Sequence, residues 1–186
     1  TSIAHGAAPC GAPFGGETIV QREHQKTVFS ELKRRVDYMG NNSLKHAALH
    51  YSTINRDFRP SEREKNTFKT QAWEIGMHDA YGAYEILNRS HVVLDIALDE
   101  HLNADRLSEY SVLFLSNSAC LGHDHCEAIR GFVSNGGTLV ATHQTSLLDE
   151  WGEDRGQFAL ADLFGVTYNG LSADGADHNI IYVPQD

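Results

Sequence analysis

Residues 111–142 read SVLFLSNSACLGHDHCEAIRGFVSNGGTLVAT, and this stretch decides the fold. Ser111–Leu115 is an apolar run without polar alternation, the pattern of a strand covered on both faces. From about Asp124 to Ser134, Cys126, Ile129 and Val133 fall on one helical face, and Asn135-Gly136-Gly137 supplies a C-terminal cap. Thr138–Thr142 is a second apolar run. Strand, helix and strand in this order, with both strands wholly apolar, predict neighbouring parallel strands in an α/β sheet.

The pattern continues outward in both directions. Upstream, Val92–Ala97 reads as a strand. Residues 71–88 read as a helix with Trp73, Met77, Ala80, Tyr81, Tyr84 and Leu87 along one stripe, the arrangement of core packing. Lys45–Tyr51 is a short strand, and the polar stretch 52–70, with Pro60 and the cluster Glu62-Arg63-Glu64-Lys65, reads as a solvated loop. Further back, Val28, Leu32, Val36 and Met39 line a helix from Arg22 to Met39, and residues 1–20 are Gly-, Ala- and Pro-rich. Downstream, a loop at 143–156 precedes a short apolar helix at Phe158–Phe164 and a strand near Asn179–Val183. The expectation is a three-layer flavodoxin- or Rossmann-like parallel sheet over residues 44–186.

Composition narrows the partners. The 186 residues carry 15 Lys+Arg against 25 Asp+Glu, a net charge of −10. Such a field repels nucleic acid and anionic membrane surfaces, so neither is an expected partner. With 41% hydrophobic and 22% charged residues, the chain falls in the globular range and not the disordered one. The longest apolar runs, such as Val112–Leu115, are far too short to span a bilayer. Cys10, Cys120 and Cys126 are odd in number and irregularly spaced, which indicates no disulfide framework and fits a reducing, cytoplasmic setting. The chain begins at Thr1 without an initiator Met and stops just after an apolar run, so it reads as a piece of a longer protein.

Ligands in such sheets collect beyond the carboxyl ends of the strands. That rule selects Tyr51-Ser52, Ser116-Asn117 and His143-Gln144-Thr145, and among them Asn117, His143 and Gln144 are the candidate ligand-binding residues for a small polar molecule such as a sugar. No cofactor is expected, because neither a dinucleotide nor a triphosphate glycine loop is present. No metal is expected either: His123 and His125 are two apart at a helix start, and five residues separate Cys120 from Cys126. Cys120 is the candidate nucleophile, following a buried strand and preceding a helix. Its surroundings match a nucleophile elbow only in part, with Ser118 at the usual glycine position and no later His-x-Glu pair to act as base. The carboxylates Asp149, Glu150, Glu153 and Asp154 flank Trp151-Gly152, but adjacency on one loop does not set the roughly 5–9 Å separation that glycoside hydrolysis requires.

The run Val112–Leu121, then Cys126–Val133, Gly136–Thr142, Thr145-Ser146-Leu147, Asp149–Gly152 and Phe158–Gly165, resembles the β-galactosidase trimerisation-type domain. That domain is a class I glutamine-amidotransferase-like module, and the likeness is to the version attached to glycosidases grouped as hypothetical glycosyl hydrolase family six. The resemblance implies that residues 1–43 are a remnant of the end of a (β/α)8 catalytic barrel and 44–186 the amidotransferase-like domain. It implies that the hydrolytic carboxylates lie on earlier barrel strands. By the same comparison His143 stands where the amidotransferase cysteine would be, and Cys120 falls in the oxyanion-loop region, so glutaminase chemistry is lost. The expected role is that of an accessory or oligomerisation domain, non-catalytic by itself, that self-associates or packs on a glycosidase barrel. A Cys120-dependent amidotransferase- or hydrolase-like enzyme and a sugar-binding module are the alternatives.

Overall fold

A computed structural model describes residues 19–38, 43–58 and 78–170. Within them the chain forms α1 (Ile19–Arg34), β1 (Ala47–His50), α2 (Thr53–Phe58), α3 (His78–Arg89), β2 (Leu94–Ala97), α4 (Ala104–Leu107), β3 (Val112–Leu115), α5 (His123–Ser134), β4 (Thr138–Ala141) and α6 (Ala161–Phe164). Short 3-10 turns lie at Val36–Tyr38 and Asp99–His101. The four strands are all parallel in the order β2-β1-β3-β4, with Ala47 opposite Leu94 on one side and Val112 on the other, and Val112 opposite Thr138. Helices cover both faces. This is the flavodoxin-like three-layer fold that the strand–helix–strand run predicts.

Strand alternation divides the core in two. Ala48, Leu113 and Leu115 point to the face packed by α4 and α5, where Leu102, Leu107, Cys126, Ile129, Phe132 and Leu160 complete a buried cluster. Ala47, Leu49, Val112 and Phe114 point to the other face, against Ala83, Tyr84 and Leu87 of α3. Ala80 is buried and Tyr84 and Leu87 pack partly buried against the core, whereas Tyr81 is half exposed, so the expected stripe packs only in part over its described length. Trp73 and Met77 lie outside the described residues, as do Met39 and the strand expected at 179–183.

Three elements depart from expectation. The stretch from residue 52, read as loop, opens with the helix α2. Its first amides are capped by Ser52 Oγ, which accepts from Asn55 N at 2.9 Å, and by the Asp99 carboxylate, which accepts from Thr53 N at 2.8 Å and Ile54 N at 3.2 Å. Ser52 is a local cap, but the part supplied by Asp99, over 40 positions away, leaves no local signature. The polar link after β2 is also structured: Asn103 caps α4 by accepting from Arg106 N, and Leu102 and Leu107 enter the core. The short helix expected at Phe158–Phe164 is confined to α6, with Phe158 in the turn before it. β4, apolar along its length, is partly open on both faces, because it is the outermost strand on its side among the described residues.

α5 ends in a Schellman motif. Gly136 N donates to Val133 O, Gly137 N donates to Phe132 O, and Gly136 takes the left-handed conformation at φ +94°. Gly137 answers a different need: a Cβ there would lie 2.4 Å from the buried Phe132 ring. Gly137→Ala is expected to force that ring off its seat and cost about 1–3 kcal/mol of stability, read as a lower urea midpoint at unchanged m-value.

Candidate functional site

In this sheet the chain passes from β1 to β2 on one side and returns to β3 on the other, so the switch point lies between the carboxyl ends of β1 and β3. The residues there are His50 at the end of β1, Asp99 just past β2, and Ser116–Ser118 past β3. They form one buried relay. His50 Nε2 is 3.2 Å from Asp99 Oδ1, and His50 Nδ1 is 2.8 Å from Ser118 Oγ.

Asp99 also accepts from Ser52 Oγ at 2.5 Å, Thr53 Oγ1 at 2.9 Å, and the Thr53 and Ile54 amides. Burial alone would push its carboxyl up. The hydrogen bonds from His50, Ser52 and Thr53 outweigh burial and hold it well below the usual carboxylate range. With Asp99 ionised, His50 donates through Nε2–H, and in the neutral ring Nδ1 accepts the Ser118 hydroxyl proton. Serine, histidine and aspartate thus stand in the order of a hydrolase triad, yet Ser118 is 2% and His50 1% exposed. The hydroxyl has no open side from which to meet a substrate. The arrangement ties three strand ends together.

Asn55 fills the rest of the crevice. Buried on α2, it donates from Nδ2 to Asn117 O, and its Oδ1 accepts from the amides of Ala119 at 3.0 Å and Cys120 at 3.2 Å. Those are the backbone donors that an oxyanion hole at this loop would need, and a side chain of the same chain holds them. Cys120 itself is 0% exposed, packed with Ala119, Leu147 and Leu148.

The three sequence-selected ligand residues do not converge on one opening. Asn117 is buried with φ +52°; its Nδ2 donates to Asp79 Oδ2 at 2.6 Å and its Oδ1 accepts from Gln144 N at 3.3 Å. It links β3, α3 and the turn after β4. Gln144 is half-buried in that turn. His143, exposed at φ +53°, stands at the lip of a separate cavity of about 480 Å³ beside β4 and α6, whose lining includes neither Asn117 nor Gln144.

Among the described residues no group of three metal-type side chains is assembled. Cys126 is buried, which pushes its thiol up, and His125 caps α5 by accepting from Gly122 N. The acidic loop is a tight turn: Asp149 Oδ1 accepts from the Trp151 and Glu153 amides, each at 2.9 Å, and Gly152 sits at φ +81° where a Cβ would lie 2.1 Å from Phe58 O. Trp151 meets Phe58 edge to face at 5.6 Å and is 67% exposed. No described helix is long and apolar enough to cross a membrane.

Sequence reasoning passed over His50, Asn55, Asp99 and Ser118. The available signal was position: His50 ends β1, and Asp99 is two residues beyond β2, both at carboxyl strand ends. Nothing local announces that they meet.

No protein-family model and no curated protein sequence matches the chain. Solved structures resemble it in fold. A β-galactosidase from Bifidobacterium adolescentis aligns at TM-score 0.50 and 19% identity over 67% of this chain and 55% of that one. A GH42 β-galactosidase aligns at TM-score 0.53 and 22% identity over 74% of this chain and 19% of its own. A catalytic mutant of such an enzyme from G. stearothermophilus gives TM-score 0.54 at 20% identity, with the same coverage of both chains. The chain therefore spans about half the length of the first and about a fifth of the others.

Two outcomes are expected from the site. Asp99→Asn should cost at least about 1–3 kcal/mol, because an amide NH2 would replace an oxygen that accepts hydrogen bonds and would leave buried donors unpaired. Asp99's folded value lies below that of the unfolded chain, so its stabilisation is complete above about pH 4 and is lost as pH falls from there toward the folded value. Asp99→Asn should therefore flatten the acid limb of a stability–pH curve measured by urea unfolding. Peptide mapping after iodoacetamide should find Cys120 modified only as fast as the fold opens, with labelling accelerating through the urea transition.

Proposed function

We propose that this chain is a non-catalytic accessory module of a β-galactosidase-type glycosidase, one that packs on a (β/α)8 catalytic barrel and on copies of itself. The observation that carries the reading is the filled switch-point crevice. Where an open sheet of this kind would hold its ligand, α2, Asn55 and the Asp99–His50–Ser118 relay occupy the space with mutually satisfied groups. The fold likeness to β-galactosidase chains longer than this one supports the assignment to that class of enzyme.

Glycoside hydrolysis needs two carboxyl groups facing across the scissile bond. Among the described residues Asp99 is buried and hydrogen-bonded on both oxygens, and Asp149 is engaged in its own turn. The reaction accordingly belongs to the barrel, and this module's part is to associate and to wall a neighbouring site in the cytoplasm. A surface suited to association is present in and just after α1, where Val28, Phe29 and Val36 are exposed. A Cys120-dependent enzyme would need a thiol that reaches solvent. A sugar-binding role would have to use the exposed His143 or Trp151, because the Asn117 amide is already engaged at both ends.

The purified chain should release no nitrophenol from nitrophenyl β-galactosides above a buffer control; turnover would overturn the proposal. In sedimentation its weight-average mass should rise above 20.6 kDa with concentration. A Val28→Asp, Val36→Asp double variant should stay at the monomer mass across the same range.

A further inference from the structure

Ser118 sits at the middle of a tight turn in which Ala119 N donates to Asn117 O at 2.8 Å. The Asn55 carboxamide brackets this residue. Its Nδ2 donates at 3.3 Å to Asn117 O, in the peptide group before Ser118. Its Oδ1 accepts at 3.0 Å from Ala119 N, in the peptide group after Ser118, and at 3.2 Å from Cys120 N. The Ser118 hydroxyl is 2.8 Å from His50 Nδ1, and His50 Nε2 is 3.2 Å from the Asp99 carboxylate. A nucleophile, a base, its orienting carboxylate and two amides on one carbonyl oxygen are the parts of an acyl-transfer site. Here the carbonyl that the amides hold belongs to the chain itself. Burial shuts out a substrate arriving from solvent, but it does not separate Ser118 from an electrophile already in the crevice. Asp99 serves both sides: it holds the His50 ring and, through the Thr53 and Ile54 amides, the start of the helix that carries Asn55.

We propose that Ser118 and Asn55 join in an intramolecular ester, which makes the buried relay a self-modification site. Ser118 Oγ forms a bond to Asn55 Cγ while His50 Nδ1 takes the hydroxyl proton, and the Ala119 and Cys120 amides stabilise the carbonyl oxygen as it turns negative. The Cγ–Nδ2 bond then breaks, and His50 returns the proton to the departing nitrogen, which leaves as ammonia. One hydroxyl and one carboxamide become one ester and one ammonia, with no oxidant, reductant or further reactant. Exclusion of water protects the ester from hydrolysis. A cross-link between positions 55 and 118 also lowers the entropy of the unfolded chain. The inference does not depend on the glycosidase reading, because the chemistry acts within the chain and on no external substrate.

The intact mass of the full 186-residue chain, held at neutral pH until it is constant, tests the proposal. The chain should be lighter than its sequence by one ammonia, about 17 Da. Digestion with trypsin should yield residues 46–56 and 107–130 joined in one branched peptide, with fragment ions placing the link at Asn55 and Ser118. Ser118→Ala and Asn55→Asp should keep their full sequence mass, and His50→Gln should slow the loss at least about a hundredfold. A cooperative urea transition shows which variants fold, and the parent-chain result stands whatever they do. Full mass in the parent chain, two separate linear peptides, or the same loss persisting in Ser118→Ala would each overturn the proposal. The last would assign the loss to cyclisation of another asparagine, such as Asn135 before Gly136.

Discussion

One buried carboxylate organises the carboxyl end of the sheet. Asp99 receives five hydrogen bonds, from His50, Ser52, the hydroxyl and amide of Thr53, and the amide of Ile54. An ionised carboxyl removed from water without such partners would cost several kcal/mol, so the bonds are a condition of the fold and not an addition to it. Through them the link after β2 grips the end of β1 and starts α2, and through His50 the grip extends to Ser118 beyond β3. Asn117 carries it further, to Asp79 on α3 and the turn after β4. Remove Asp99 and α2 loses the carboxylate part of its cap, and His50 loses its orienting partner.

That constraint bears directly on function. Doubly wound sheets usually leave the switch point open because the loops diverge there. Here the loops are drawn together by polar side chains whose hydrogen-bonding capacity is engaged within the chain. A serine, a histidine and an aspartate in hydrogen-bonded sequence would elsewhere invite a hydrolase reading. Burial sets this relay apart: a nucleophile needs a path to the substrate as well as a base, and Ser118 is 2% exposed. The same reasoning applies to Cys120, whose amide is held by Asn55 and whose side chain packs against Leu147 and Leu148.

Much of the architecture was legible because it rests on short-range periodicity. The unalternating runs at 111–115 and 138–142 and the i, i+3, i+7 positions of Cys126, Ile129 and Val133 specify parallel strands and an intervening helix without reference to the rest of the chain. Gly136-Gly137 announced the end of α5 for the same local reason. Two features turn on distant partners. The start of α2 looked like loop because two of its capped amides are held by the distant Asp99. Asn117, His143 and Gln144 looked like a common site because strand ends converge in projection, whereas the left-handed turn at His143 puts that side chain beside β4 and the Asn117 amide turns inward to Asp79.

By itself, then, the sequence determined a parallel α/β sheet, the glycine cap that ends α5 and a net charge of −10, all properties written into spacing and composition. Tertiary structure alone decided that the crevice at the switch point is closed and that Ser118, His50 and Asp99 form a structural tie. The physical reason is range: periodicity and capping act over one or two turns of chain, whereas this closure depends on side chains 49 and 68 positions apart meeting in a space from which water has been removed.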